Sequence, residues 1–93
     1  MDIKQEILSQ LVEAMELRLA IQSIFQHSTH PKDLVRCSDV AAEVALLLNR
    51  EVSSPFRKAV RRAAAAAGWT RTVNKANVHY YRYMTRKPST LQQ

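Results

Sequence analysis

Residues 53–83 read SSPFRKAVRRAAAAAGWTRTVNKANVHYYRY, and the interpretation of this stretch decides the fold. Ser53 and Ser54 supply hydroxyls that cap free N–H groups at a helix start, and Pro55 takes a first-turn position where its missing donor costs nothing. At the far end stands Gly68, the chain's single glycine, where a left-handed residue terminates a helix. Between these signals Phe56, Val60, Ala63, Ala64 and Ala67 recur at the three-or-four spacing of a buried face. Arg57 with Arg61 and Lys58 with Arg62 form two i,i+4 pairs on the opposite side. A helix over 54–67 is therefore expected. The β-branched and aromatic runs 69–73 and 78–83 flank Asn74-Lys75-Ala76-Asn77, in which two residues tolerate positive φ, so a β-hairpin follows the helix directly. Trp69, Val73, Tyr81 and Tyr83 are expected to pack, which leaves Arg71, Lys75, Arg82 and His79 near the surface.

Upstream, the apolar residues Ile3, Ile7, Leu8, Leu11, Val12, Met15, Leu19, Ile24 and Phe25 recur mostly at three or four and predict a long first helix with this stripe as its apolar face. Leu17 and Ile21 fall outside the stripe and add apolar surface for a second copy of the chain. Residues 27–31 end in Pro31 and form a loop. Residues 34–37 predict a short extended piece, and Ser38 or Asp39 is expected to cap a second helix through Val40, Val44, Leu47 and Leu48. A turn at 49–52 leads into the third helix. The expected class is mainly α with a C-terminal β-hairpin. One domain should span residues 1–85, followed by a flexible basic and polar tail over 86–93.

This order, with a basic third helix feeding a hairpin, resembles the winged helix-turn-helix superfamily over roughly residues 34–84. The resemblance rests on 53–60, Gly68-Trp69 and the hairpin from Arg71 to Tyr83. Residues 56–83 are also loosely similar to winged-helix modules of phage and plasmid replication proteins, in which a helix ends in Gly-Trp or Gly-Tyr before a basic hairpin ending in tyrosine. The resemblance implies that the third helix enters a DNA major groove while the hairpin serves as the wing. Wings often carry glycine at the tip, and this one has Asn74 and Asn77 instead, which implies a short or strained wing.

The charge distribution points the same way. The net charge is +6, yet residues 53–93 hold Arg57, Lys58, Arg61, Arg62, Arg71, Lys75, Arg82, Arg86 and Lys87 with no acid at all. Every Asp and Glu lies in the first 51 residues. So one-sided a segment repels itself unless a polyanion neutralises it. Like charges at i,i+4 cost a helix about 0.2–0.5 kcal/mol per pair, a sign that a phosphate backbone reverses. Arginine forks onto guanine edges, and both cations reach phosphates. The candidate DNA-binding residues are Ser54, Arg57, Lys58, Arg61, Arg62, Arg71, Lys75, Asn77 and Arg82. The ordinary alternative for such a run is a solvated charged face, and for tyrosines beside arginines it is packing rather than the stacking of unpaired bases.

Other classes find little support. No glycine-rich phosphate loop or nucleophile–base–acid set is present, so no catalysis and no cofactor are expected. His27, His30 and Cys37 lack the paired spacing of a structural zinc site, and no metal is expected. Cys37, the only cysteine, reads as a structural thiol. There is no long uncharged apolar run, so no membrane partner and an intracellular setting are expected. DNA binding leads, in transcription or replication. A winged-helix protein adaptor and an RNA-binding module are the alternatives, and homodimerisation through the first helix is a further expectation.

Overall fold

A computed structural model describes residues 3–88, so Met1, Asp2 and the part of the expected tail over 89–93 lie outside the described residues. In chain order the elements are α1 (Ile3–Ile24), β1 (Phe25–His27), β2 (Leu34–Arg36), α2 (Cys37–Leu47), α3 (Ser54–Ala66), β3 (Arg71–Val73), β4 (His79–Arg82) and β5 (Met84–Arg86). The domain is mixed α/β: three helices carry a three-stranded antiparallel sheet of order β2-β4-β3 and a separate two-stranded ribbon, β1-β5. One apolar core joins them. Leu17, Ala20 and Ile21 of α1 meet Val40, Ala41, Val44 and Ala45 of α2 and Phe56, Val60, Ala63 and Ala64 of α3, with Phe25, Val35, Trp69, Tyr81 and Met84 closing the sheet side.

The third helix follows its sequence signals closely. Ser53 accepts a hydrogen bond from the Phe56 N–H at 3.2 Å, and Pro55 sits in the first turn. At the far end Gly68 adopts φ +96°, its N–H donates to the Ala65 carbonyl (3.0 Å), and the Trp69 N–H donates to the Ala64 carbonyl (3.1 Å). That is the paired pattern of a Schellman terminus, with Trp69 and Ala64 both buried across it. The second helix ends the same way: Asn49 takes φ 53°, the Arg50 N–H reaches the Ala45 carbonyl at 2.8 Å, and the Asn49 N–H reaches that of Leu46 at 3.3 Å. This terminus turns the chain from α2 into α3.

Four expectations are corrected. The first concerns α1, whose packed face is Leu17, Ala20 and Ile21, whereas Ile3, Ile7, Leu8, Leu11, Val12, Met15 and Leu19 are all more than half exposed. Periodicity identifies an apolar face, but the body of the domain meets only the C-terminal half of this helix, where a different arc points inward. Between Ile3 and Glu16 every residue except Glu13 is exposed. Second, Phe25 leaves the helix to begin β1, and the supposed tail supplies its partner: Phe25 pairs with Arg86, Gln26 with Thr85 and His27 with Met84. Arg86 thus belongs to the folded domain, held by Glu43 through Nη2 at 2.8 Å and Nε at 3.0 Å. Third, α2 starts at Cys37 with Arg36 in the capping position and no side-chain cap, so neither Ser38 nor Asp39 caps it. Fourth, Val73 and Tyr83 are exposed rather than packed, while Trp69 and Tyr81 are buried as expected.

Tyr83 explains how β4 and β5 divide between two sheets. Its φ of 56° turns the strand sharply, and its carbonyl accepts from the Ser28 N–H at 2.8 Å. A left-handed tyrosine costs on the order of 1–2 kcal/mol. Burial of Met84 and Phe25, both about 1% exposed, offsets it, since each buried side chain contributes roughly 1.5–3 kcal/mol.

Candidate nucleic-acid interface

Because the hydrophobic spacing of α3 buries Phe56, Val60, Ala63 and Ala64, the intervening Arg57, Lys58, Arg61 and Arg62 are driven to its exposed side. The adjoining hairpin contributes the opposite wall of a groove. In the sheet Arg71 lies directly across from Tyr81, and Val73 from His79. Residues paired across a ladder share a face, so Arg71 and His79 stand on the helix-facing side with buried Tyr81. Ser54, Arg57, Lys58 and Arg61 of α3, Cys37 and Ser38 at the start of α2, and Arg71, Val78 and His79 of the hairpin together line this groove. Arg61 and Arg71 also meet Arg62 in a second depression beside Trp69 and Thr70.

No carboxylate answers these cations. The ion pairs of Arg50 with Glu13 (3.1 Å) and of Arg86 with Glu43 (2.8 Å) both lie away from the groove. The groove floor registers the positive field. Burial pushes the Cys37 thiol above its ordinary value, opposed by the Arg71 and Arg61 charges and by a hydrogen bond with Tyr81. Burial and proximity to Cys37 raise the Tyr81 hydroxyl to about 12, with the same two arginines pulling it down. Both groups are therefore neutral near pH 7, and the groove's charge is that of its cations alone.

The hairpin tip is built by its two asparagines in different ways. The Asn74 carboxamide Oδ1 accepts from the N–H groups of Ala76 and Val78, each at 2.9 Å, whereas Asn77 takes the left-handed conformation at φ 62°. A glycine-free tip therefore closes, and it is short, with Lys75 exposed at the turn. Asn77 is exposed beside it, and its first role is the turn geometry.

Arg82 does not join the others. Its ladder partner is Leu34, one residue out of phase with Tyr81, which puts it on the far face of the sheet. There it lines a cleft with His27, Trp69 and Tyr83, its guanidinium 5.6 Å from the Tyr83 ring. Sequence reasoning missed Cys37 and Ser38 as groove residues, because their approach depends on β2 pairing with β4, a long-range contact without a local signal.

The histidines weighed as metal ligands have structural employment. His27 stacks on Trp69 with ring centroids 4.1 Å apart, and its Nε2–H donates to the Ala67 carbonyl at 3.0 Å, which serves the end of α3. A carbonyl only accepts, so this contact selects the Nε2–H tautomer. His30 Nδ1 accepts from the Lys32 N–H at 3.1 Å within a loop also tied by a hydrogen bond from Ser28 to Asp33. Among the described residues no three His, Cys, Asp or Glu side chains converge as a metal site, and no helix is long and apolar enough to cross a membrane. The chain was also compared with models of known families, curated proteins and solved structures, and none matches.

Proposed function

We propose that this chain is a winged helix-turn-helix module, a binding protein rather than an enzyme. Within that class we read it as an intracellular DNA-binding protein. The helix α3 lies in the major groove and the β3–β4 hairpin flanks it as the wing. Two features support the class: the succession α1, β2, α2, α3 and the β3–β4 hairpin, to which β1 and β5 add a separate ribbon, and the β2-β4-β3 sheet that holds the hairpin beside α3. The observation that carries the binding reading is the groove itself. Arg57, Lys58, Arg61 and Arg71 line it without an acidic partner, with Arg62 in the adjoining depression and Lys75 exposed at the hairpin tip. A solvated charged face needs no second wall, whereas a phosphate backbone seated against a helix is contacted from both sides.

The test is fluorescence anisotropy of a labelled random-sequence duplex at about 50 and 200 mM salt, with log affinity falling against log salt at a slope on the order of −5 if six phosphates are neutralised. A variant with Arg57, Lys58, Arg61 and Arg62 changed to Ala keeps its circular dichroism spectrum and loses this binding. A slope near zero, or a variant that binds as the parent does, refutes the proposal. Equal competition by duplex RNA and duplex DNA moves the reading to backbone recognition shared by both polymers.

A further inference from the structure

The first half of α1 presents an apolar surface that the domain core does not use. Ile3, Ile7, Leu11, Met15 and Leu19 follow one another at a constant spacing of four, and they are between 52% and 71% exposed. Leu8 and Val12 lie alongside at 60% and 61%. Constant spacing of four is the inclined ridge of an α-helix, and two such ridges interdigitate at a crossing angle of about −50°, the commonest helix packing.

We infer that this ridge is an interface between two copies of the chain, which cross antiparallel about a two-fold axis at Leu11. The ridge is symmetric about that residue: Ile7 and Met15 are equally distant from it, as are Ile3 and Leu19. A two-fold contact requires that self-complementarity, since residue i meets j and j meets i. The axis sets Leu11 against its own copy and Ile7 against Met15 of the other chain.

The area agrees with a second copy. Ile3 and Leu19 lie about 160° apart round the helix, so a single crossing at Leu11 covers the five side chains Ile7, Leu8, Leu11, Val12 and Met15. At roughly 100 Å² for a fully covered aliphatic side chain, these five, about 60% exposed, offer about 300 Å² of apolar surface per copy. Interfaces are about 60% apolar, so two copies bury on the order of 1,000 Å² in all, the size at which a specific protein–protein contact begins. A bare patch of this size matches the largest that a typical monomer exposes, and such patches are often functional. The inference does not rest on the DNA reading: no residue of α1 lines the basic groove, and because Leu11 and Met15 share a cleft between α1 and α3 with Arg62, the dimer is tested without nucleic acid.

Sedimentation equilibrium of the full chain, without nucleic acid, tests it. At tens of micromolar the protein should sediment at twice the 10.6 kDa of one chain. A variant carrying Ile7→Glu and Met15→Glu should sediment as the monomer with an unchanged circular dichroism spectrum, since both residues are exposed in the single chain. The register has its own readout, Leu11→Cys in a Cys37→Ser background. Helix axes about 8–10 Å apart bring Cα atoms on the two-fold axis within disulfide reach, so mild oxidation should link the two copies. A wild-type monomer at that concentration overturns the inference. So does a dimer indifferent to the two glutamates, or one that the cysteine at 11 fails to cross-link. Salt-dependent DNA binding by a monomeric wild type would leave the DNA reading standing alone.

Discussion

Arg71 and Arg82 are both exposed arginines of one hairpin, and the fold gives them opposite consequences. Arg71 faces the groove beneath α3, and Arg82 stands on the other side of the sheet. Replacing each in turn with Gln keeps most of the side-chain stem and removes one charge. If Arg71 neutralises one phosphate, its loss makes the log affinity against log salt slope shallower by about 0.9. The same term weakens duplex binding about fivefold near 150 mM salt and about fifteenfold near 50 mM. Arg82→Gln leaves the slope unchanged. Neither variant should shift stability by more than about 0.5 kcal/mol, because neither arginine forms an ion pair and the groups near Arg71, Cys37 and Tyr81, are uncharged near pH 7. Anisotropy titrations at four or more salt concentrations, beside thermal melts, provide both readouts. Equal slope changes for the two variants, or none for Arg71→Gln, would refute the placement of the wing against DNA.

Three further outcomes follow from the packing. Leu17→Ala should destabilise the fold by about 2–5 kcal/mol, because Leu17 is 1% exposed, while Leu46→Ala at 83% exposed stays within about 0.5 kcal/mol; urea denaturation separates them, and equal costs contradict the observed α1 face. Gly68→Ala should cost about 1–2 kcal/mol in thermal melts, because the strain comes from φ +96° and the nearest side-chain atom, Cε1 of His27, is a tolerable 3.6 Å from the added methyl; an unchanged melting temperature would remove the left-handed terminus from the account. Tyr81 holds its proton more tightly when folded, at about 12 against an ordinary 10, so its contribution is complete below pH 10 and is lost as pH rises from there through 12. Denaturation midpoints should fall across that window and fall less in Tyr81→Phe; parallel curves would contradict the burial of this hydroxyl.

The third helix and hairpin were legible because their determinants are local. Ser53, Pro55 and Gly68 act on their own turns, and the spacing of Phe56, Val60, Ala63 and Ala64 sorts the helix into a core side and a cationic side whatever it packs against. The groove was half legible. Its α3 wall follows from that sorting, but Arg71 and Arg82 are separated only by the register of β4 against β2 and β3. The β1–β5 ribbon was not legible at all: a three-residue strand has no periodicity to detect, and its partner lies some sixty residues away. The work of the two histidines was not legible for a related reason, since a ring that ends a helix or closes a turn is recognised only once its acceptor or donor is known.

The sequence by itself determined where the third helix starts and stops, which side of α3 is cationic, and that nothing after residue 51 offsets its positive charge, because these depend on neighbours within a turn or on composition alone. Tertiary structure decided which arc of α1 is buried, which hairpin arginine faces the groove and which tail residues are strands. Those outcomes depend on contacts between segments far apart in the chain, where one residue of register moves a side chain from one face to the other.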